Sequence, residues 1–528
     1  MQSKLHFASL LLWATATFSK VIGPVGTLTL QTKDFAPDGF VRSASLINGI
    51  HPGPVITANK GQNIRMNVVN ELTDENQILG ASIHWHGLFQ RGTNFMDGVI
   101  DVTQCPISPN NSFEYSFDTT DQAGTFWYHS HFDVQYCDGI RGALVVYDPH
   151  DPLKYMYDGE DESTIITLSD WYHTLATEIT GAALEDATLI NGRGRFVGHE
   201  GDPVDLAVVN VKQGKRYRFR IVSLSCSPDF TFSIDQHDLT IIEVEGTETI
   251  PETVNTIRIL AGQRYSAVLN ANQKVDNYWI RALPNRGANG IGDTFDGGVN
   301  SAILRYKGAR KRDPTTEQQT EQIPLVEANL HPYYSHPVPG EPNPDGADHT
   351  LPFTIKLNSG QWSFNDTPFV PTPVPVLLQI LSGATDPAEL LPEGTIYRVE
   401  RNQTIQLDIQ AGPAGNPHPL HLHGHEFWVV KSAGSAEYNF DNPVIRDTVS
   451  AGNNQGDLVS IRFTTDNPGP WIFHCQIDFH LRDGLAIVFA EAPEETDAAN
   501  PNRPESWKEL CPIWDAQPES VKNAGYND

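Results

Sequence analysis

Basic residues are scarce in this chain of 528 residues: 36 Lys+Arg stand against 65 Asp+Glu, a net charge of −29. A surface that negative is repelled by phosphate backbones and anionic bilayers, which argues against nucleic acid and membrane surfaces as partners. Long apolar runs are missing as well. Past the N-terminus no stretch reaches the roughly 18 apolar residues a spanning helix needs, so no membrane crossing is expected. The C-terminal residues are polar and carry no lipid-anchor pattern. Cysteine is limited to five, at positions 105, 137, 226, 475 and 511. Four can pair; the fifth needs another use.

The first residues have the layout of a secretory signal. Lys4 is a basic start, Phe7 to Trp13 is mostly apolar, and Ala14, Ala16 and Ser19 are small. Ile22-Gly23-Pro24 then breaks the run, which predicts a signal over 1–20, a mature start near Val21 and an extracellular protein. Such a compartment favours disulfides. In a eukaryotic secretory route Asn110, Asn365 and Asn402, each in an Asn-x-Ser/Thr triplet, are glycosylation acceptors.

Strand patterns fill the remainder. Ile64 to Val68, Phe113 to Phe117, Tyr217 to Ile221, Ile405 to Ile409 and Val459 to Phe463 alternate apolar and polar residues, the mark of half-buried strands. Glycines (42) and prolines (37) are numerous enough to punctuate them with turns, as in an all-β sandwich. The strands also repeat. Gly61 to Met66 resembles Gly214 to Phe219 and, more loosely, Asn402 to Leu407. Later in each unit Gly124 to His129 matches Gly469 to His474, with Asp276 to Arg281 in the middle unit. Repeats this far apart are domains, not a solenoid. Three consecutive β-sandwich domains are predicted, over 21–151, 152–322 and 323–528. The outer units end their second match on histidine and the middle one on Arg281, so the middle domain reads as a spacer.

Ten of the 19 histidines fall in four short motifs: His84-Trp85-His86, His129-Ser130-His131, the run His418, His421, His423, His425, and His474 to His480. Two motifs lie in the first domain and two in the third. Three are His-x-His pairs, and on a strand such a pair puts both imidazoles on one face. Converging pairs make a many-imidazole metal site suited to copper, zinc, iron or nickel. Cys475 decides among them. Flanked by His474, followed by His480 and preceded by His418, it is the cysteine read as unpaired, and two His with one Cys form the ligand set of a blue-copper centre. Zinc would use about four ligands and leave the others unexplained. Along the strand Cys475 faces one way and residues 474 and 476 the other, so one strand bridges a single copper and a separate histidine cluster.

At these motifs, and at Asp186 to Gly192, Lys215 to Arg220, Asp276 to Ala282 and Val376 to Gly383, the chain resembles the multicopper oxidases, specifically fungal laccases of the basidiomycete type. The resemblance covers essentially the whole mature chain. It implies three cupredoxin-like Greek-key sandwiches and four coppers. The type 1 copper would be held by His418, Cys475 and His480, with the non-ligating Leu485 at the axial position, which raises the potential. The type 2 copper would take His84 and His421. One type 3 copper would take His131, His423 and His474, and the other His86, His129 and residue 476. It further implies disulfides Cys105–Cys511 and Cys137–Cys226, and proton-moving roles for Asp97 and Asp478. His425 is read as structural. The activity implied is one-electron oxidation of phenols or aryl amines at His480, coupled through Cys475 and His474 to reduction of O2 to water. The partners are then small aromatic reductants and O2, and the chain works as a monomer.

Three positions depart from the family. Gln476 stands where the family has histidine, and an amide is a poor, neutral ligand beside imidazole. Low occupancy or altered oxygen chemistry is the expectation there. Ser227 stands where many fungal laccases carry an acidic residue that orients phenols, with Asp229 two residues away. Arg482-Asp483 replaces a frequent Glu-Ala. Two rivals follow: a degenerate copper-binding member with an impaired cluster, and an oxidase of metal ions such as Fe(II), for which Asp229 and Asp483 would be the carboxylates.

Overall fold

A computed structural model describes residues 20–120, 122–198, 204–286, 294–412 and 417–526 of the chain. The expected signal segment, save Lys20, lies outside the described residues. The alternating segments all become strands: Asn63–Glu71, Ser112–Asp118, Arg216–Ser223, Thr404–Gln410 and Leu458–Thr464. In the first, Ile64, Met66 and Val68 pack inward while Asn63 and Arg65 meet water. In Arg216–Ser223 and Leu458–Thr464 the polar face is buried too. Arg218 and Arg220 close on Glu243, and Arg462 donates to the carbonyls of Pro339 and Glu341. Period two thus marks a polar face without telling whether water or a buried partner covers it.

Six sheets result, and by chain position they form three pairs. A four- and a five-stranded sheet lie between Val21 and Tyr147. A six- and a five-stranded sheet lie between Ile165 and Tyr306, and another such pair between His349 and Glu491. The fold is three cupredoxin-like sandwiches in series. The chain from Ile323 to Tyr333 still runs along the middle domain: Ile323 accepts from Asn255, His331 from Ile250, and Tyr333 donates to Glu248. The third sandwich's own strands begin at His349.

The long repeats occupy one topological place. In the first domain β1 (His84–His86), β2 (Gly124–His129) and β3 (Arg141–Tyr147) are neighbours, with β2 antiparallel to both others. In the second, β4 (Asp229–Ile234), β5 (Asn277–Asn285) and β6 (Ser301–Tyr306) repeat this order. In the third, β7 (Pro419–Leu422), β8 (Gly469–Cys475) and β9 (Ala486–Glu491) repeat it again. Where β2 and β8 carry His129 and His474, β5 carries Arg281, ion-paired with Asp235 at 2.7 Å and stacked over Phe295. An ion pair fills the place of a metal ligand. One apolar core runs through all three domains, from Trp127 and Val145 through Phe219 and Ile280 to Phe473 and Ile487. Disulfides Cys105–Cys511 and Cys137–Cys226 are both formed and tie the first domain to the C-terminal segment and to the second domain. Asn110 and Asn402 are exposed; Asn365 is half-buried and donates to Pro352.

Candidate metal centre

His84 on β1 lies opposite His129 on β2, and His421 on β7 opposite His474 on β8. The two strand pairs bring their imidazoles together where the first and third domains meet. His84 stacks on His423 with ring centres 3.9 Å apart, and His86 on His421 at 3.6 Å. The Nε2 atom of His474 lies 3.0 Å from that of His423 and 3.4 Å from that of His131. Ligand atoms fall into groups whose members lie within 4.8 Å of one another: His84, His421, His423; His84, His86, His129; and His131, His423, His474. All seven cluster histidines predicted from the sequence are therefore in one place.

Their orientation is set from behind. The Nδ1 of His129 bonds to the Ser130 carbonyl, that of His474 to Cys475 and that of His421 to Asp447, at 2.8 to 2.9 Å. His84 Nδ1 bonds to the Asp97 carbonyl and His423 Nδ1 to the Asp97 carboxylate, both at 2.8 Å. Each contact fixes the tautomer and leaves the other nitrogen facing the cluster. Those inward atoms, His84 Nε2, His86 Nδ1, His129 Nε2 and His421 Nε2, are buried and have no hydrogen-bond partner in the protein. Unsatisfied buried acceptors are costly and rare. Four facing one space fit a bound cation. Burial, then the neighbouring imidazoles, drives the pKa values of His86, His129, His131, His423 and His474 well below the ordinary range. These rings stay neutral, as ligands must.

The second site lies at the other face of β8. Cys475 Sγ is 3.6 Å from His418 Nδ1 and 3.7 Å from His480 Nδ1, and those two nitrogens are 3.1 Å apart. Cys475 is the free cysteine among the described residues, buried, and burial raises its thiol pKa strongly in the absence of a metal. The compact triangle of one sulfur and two nitrogens fits the trigonal set of a blue-copper centre. Leu485 is fully buried; its carbonyl accepts from the Cys475 amide and its own amide donates to His480. His480 stands half-buried within the short helix α1 (Asp478–Arg482) and is the least buried member of the triangle.

Gln476 enters the cluster's side of the strand. Its side chain is 2% exposed, and its Oε1 has no partner. Asp478 is buried by the Cys137–Cys226 disulfide: Cys137 Sγ lies 3.8 Å from its carboxylate, and its amide donates to Cys226. Burial, then Asp133, raises its pKa well above the usual range. His425 lies 2.9 Å from Glu491 and outside the metal groups, in keeping with a structural role.

Three residues that shape the sites had no signal in the sequence. Asp447 accepts from His86 and takes a two-pronged contact from Arg264 of the middle domain, at 2.6 and 2.7 Å. Trp362 packs its ring 4.7 Å from His418 and 4.5 Å from His480. The carboxylates weighed for a metal-ion donor are engaged elsewhere. Asp229 is 3% exposed and paired with Arg258 at 2.6 Å, and Asp483 lies 3.3 Å from Arg482. Ser227 donates its amide to Asp170.

Family models described as multicopper oxidase match residues 29–151, 162–309 and 369–495. The chain is 54% identical to Laccase-4 of Trametes villosa over 94% of this chain and 95% of that one. It is 53% identical to a laccase of Pycnoporus cinnabarinus, over 98% of each. Among solved structures it is similar to a laccase from Botrytis aclada, with a TM-score of 0.81 and 30% identity over 96% of this chain and 94% of that one. It is also similar to Fet3p, a multicopper oxidase that functions in iron import, at a TM-score of 0.79 and 26% identity, covering 93% of this chain and 95% of that one.

Proposed function

The chain belongs to the multicopper oxidase family, among its laccases of basidiomycete type, and on that premise we propose how its residues divide the four coppers. His418, Cys475 and His480 hold the type 1 ion, and His84 and His421 the type 2 ion. His131, His423 and His474 hold one type 3 ion, and His86 and His129 hold the other. When bound, these ions supply one-electron oxidation of an aromatic donor and four-electron reduction of O2 to water.

The protein's own atoms do the remaining work. His480, half-buried, offers a donor an imidazole edge, and Trp362 packs behind it. The path between the sites is short and covalent: Cys475 and His474 are adjacent, and His474 Nδ1 donates back to the Cys475 carbonyl at 2.9 Å. Asp97, in contact with His84 and His423, orients both imidazoles, and Asp478 carries protons on the other side. Asp229 and Asp483 face arginines, which favours small phenols or aryl amines over Fe(II) as donors. Secretion is supported by the N-terminal signal pattern together with two disulfides. A single chain supplies every proposed ligand, which supports a monomer.

The observation that carries this reading is the set of partnerless inward nitrogens contributed by two domains beside a buried free thiol. Copper-loaded protein should be blue and should consume oxygen when given a phenol. Cys475→Ser should lose the thiolate-to-copper charge-transfer band and bring oxygen uptake to background. A fully loaded parent that takes up no oxygen with phenols or aryl amines would overturn the proposal.

A further inference from the structure

Residue 476 is the one ligand position where this chain carries a side chain the family pattern does not supply. Its backbone is held on both sides: the amide donates to the Pro419 carbonyl at 2.7 Å, and the carbonyl accepts from the Tyr136 hydroxyl at 2.9 Å. Gln476 follows directly on β8, which ends at Cys475. It is placed against His86. A Cβ added at Gly262 would lie 3.0 Å from both Gln476 Cγ and His86 Cε1, so the two side chains share one wall, and the glycine leaves room for both. Gly262 also has φ +82, where a side chain is strained.

The amide oxygen is an acceptor without a donor. Gln476 Oε1, His86 Nδ1 and His129 Nε2 are all buried and all lack a hydrogen-bond partner. His86 and His129 belong to one group of residues whose ligand atoms lie within 4.8 Å of one another. An amide oxygen is a neutral donor atom, as an imidazole nitrogen is, so the exchange leaves the charge of the site unchanged. It changes the softness. Cu(II) accepts oxygen ligands, whereas Cu(I) favours nitrogen and sulfur over a carbonyl oxygen.

We propose that Gln476 Oε1 is the third protein ligand of the copper held by His86 and His129, and that this oxygen makes that copper the one the enzyme releases when reduced. The proposal rests on the copper assignment above. It predicts a full complement in the oxidised enzyme and a specific loss under reduction.

The test uses the copper-loaded full chain, Gln476→His and Gln476→Leu. Copper is counted by mass spectrometry before and after anaerobic ascorbate with bathocuproine disulfonate, followed by dialysis and reoxidation. Ascorbate delivers one electron per Cu(II), and the chelator takes up Cu(I). The parent should drop from four coppers to three and keep its blue band. It should lose the near-ultraviolet band of the coupled pair, and its electron paramagnetic resonance signal should grow by one copper as the remaining partner becomes visible. Gln476→His should keep four through the same treatment, and Gln476→Leu should hold three from the start. A parent that keeps four as firmly as Gln476→His overturns the proposal, as does Gln476→Leu loading and retaining the fourth like the parent. The first comparison decides even where Gln476→Leu does not fold. Protein with no blue band and no cluster copper in any variant overturns the copper assignment itself.

Discussion

Asp447 takes two hydrogen bonds from Arg264 and one from His86, while its own carbonyl fixes His421. One residue of the third domain therefore sets imidazoles of two domains. Burial alone would raise its carboxyl pKa, but Arg264 and the contacts from His421 and His86 hold it well below the ordinary range. Because it accepts at His86 Nε2, it keeps Nδ1 of that ring free for metal. Asp447→Asn weakens the hold on Arg264 and the bias on the His86 tautomer. The expected effect is about 10- to 100-fold weaker copper binding at the cluster, measured by chelator competition. The blue band should persist, since none of Asp447's contacts reach the type 1 triangle. Unchanged cluster affinity would show that His86 needs no such partner. The histidines around Asp447 could be read from local motifs; Asp447 could not. Its partners lie 361 and 183 positions away, and a lone aspartate after Arg446 has no distinguishing neighbour.

Between strands, Glu243 does for the domain contact what Asp447 does for the cluster. It sits on the strand Leu239–Val244 and faces Arg218 and Arg220 of Arg216–Ser223. It also accepts from the Thr125 amide of β2 at 2.7 Å, so the first domain's metal-bearing strand leans on the second domain through it. Burial would raise its pKa, but the two arginines win and hold it at about 2, against an ordinary 4.5. A value depressed on folding means stability that is full above the ordinary value and lost as pH falls from about 4.5 toward about 2. The contribution is about 3 kcal/mol. Glu243→Gln should cost about 3–5 kcal/mol at neutral pH, by leaving two buried arginines short of charge. It should also flatten the acid limb of a denaturation-midpoint profile between pH 5 and about 2. A variant with the parent's profile would remove Glu243 from that role. The partner strand, Arg216–Ser223, was plain from the alternation of Tyr217 to Ile221. That its polar face is buried was not, because alternation records polarity and not the partner.

Across the whole molecule, the proposed copper cluster lies at the seam between the first and third domains. The cluster histidines come from the first and third domains, and the middle one is more than a spacer. Its Arg264 grips Asp447, and its Glu245 pairs with Arg446. Removing copper leaves partnerless nitrogens at the seam between the outer domains. An ion that binds the folded state alone stabilises it by about 4 kcal/mol at a thousand times its dissociation constant. Calorimetry of chelator-stripped protein should show a lower transition, restored by adding copper back. Identical traces would show that the seam is held by the ion pairs and disulfides alone.

The sequence by itself determined which residue types converge and that three β-rich units repeat, and its resemblance to multicopper oxidases pointed to copper. Each depends on short-range spacing: two-residue alternation puts His84 with His86 and turns Cys475 away from its neighbours, and β2, β5 and β8 repeat as local patterns. Tertiary structure alone decided what stands behind those ligands. It placed Asp447 and Arg264 behind the imidazoles, Trp362 against the type 1 histidines, Arg258 on Asp229, and Gln476 beside His86. These pairings join residues far apart in the chain, where a contact leaves no periodicity to read. Only packing decides which buried polar atoms find partners and which are left to a metal.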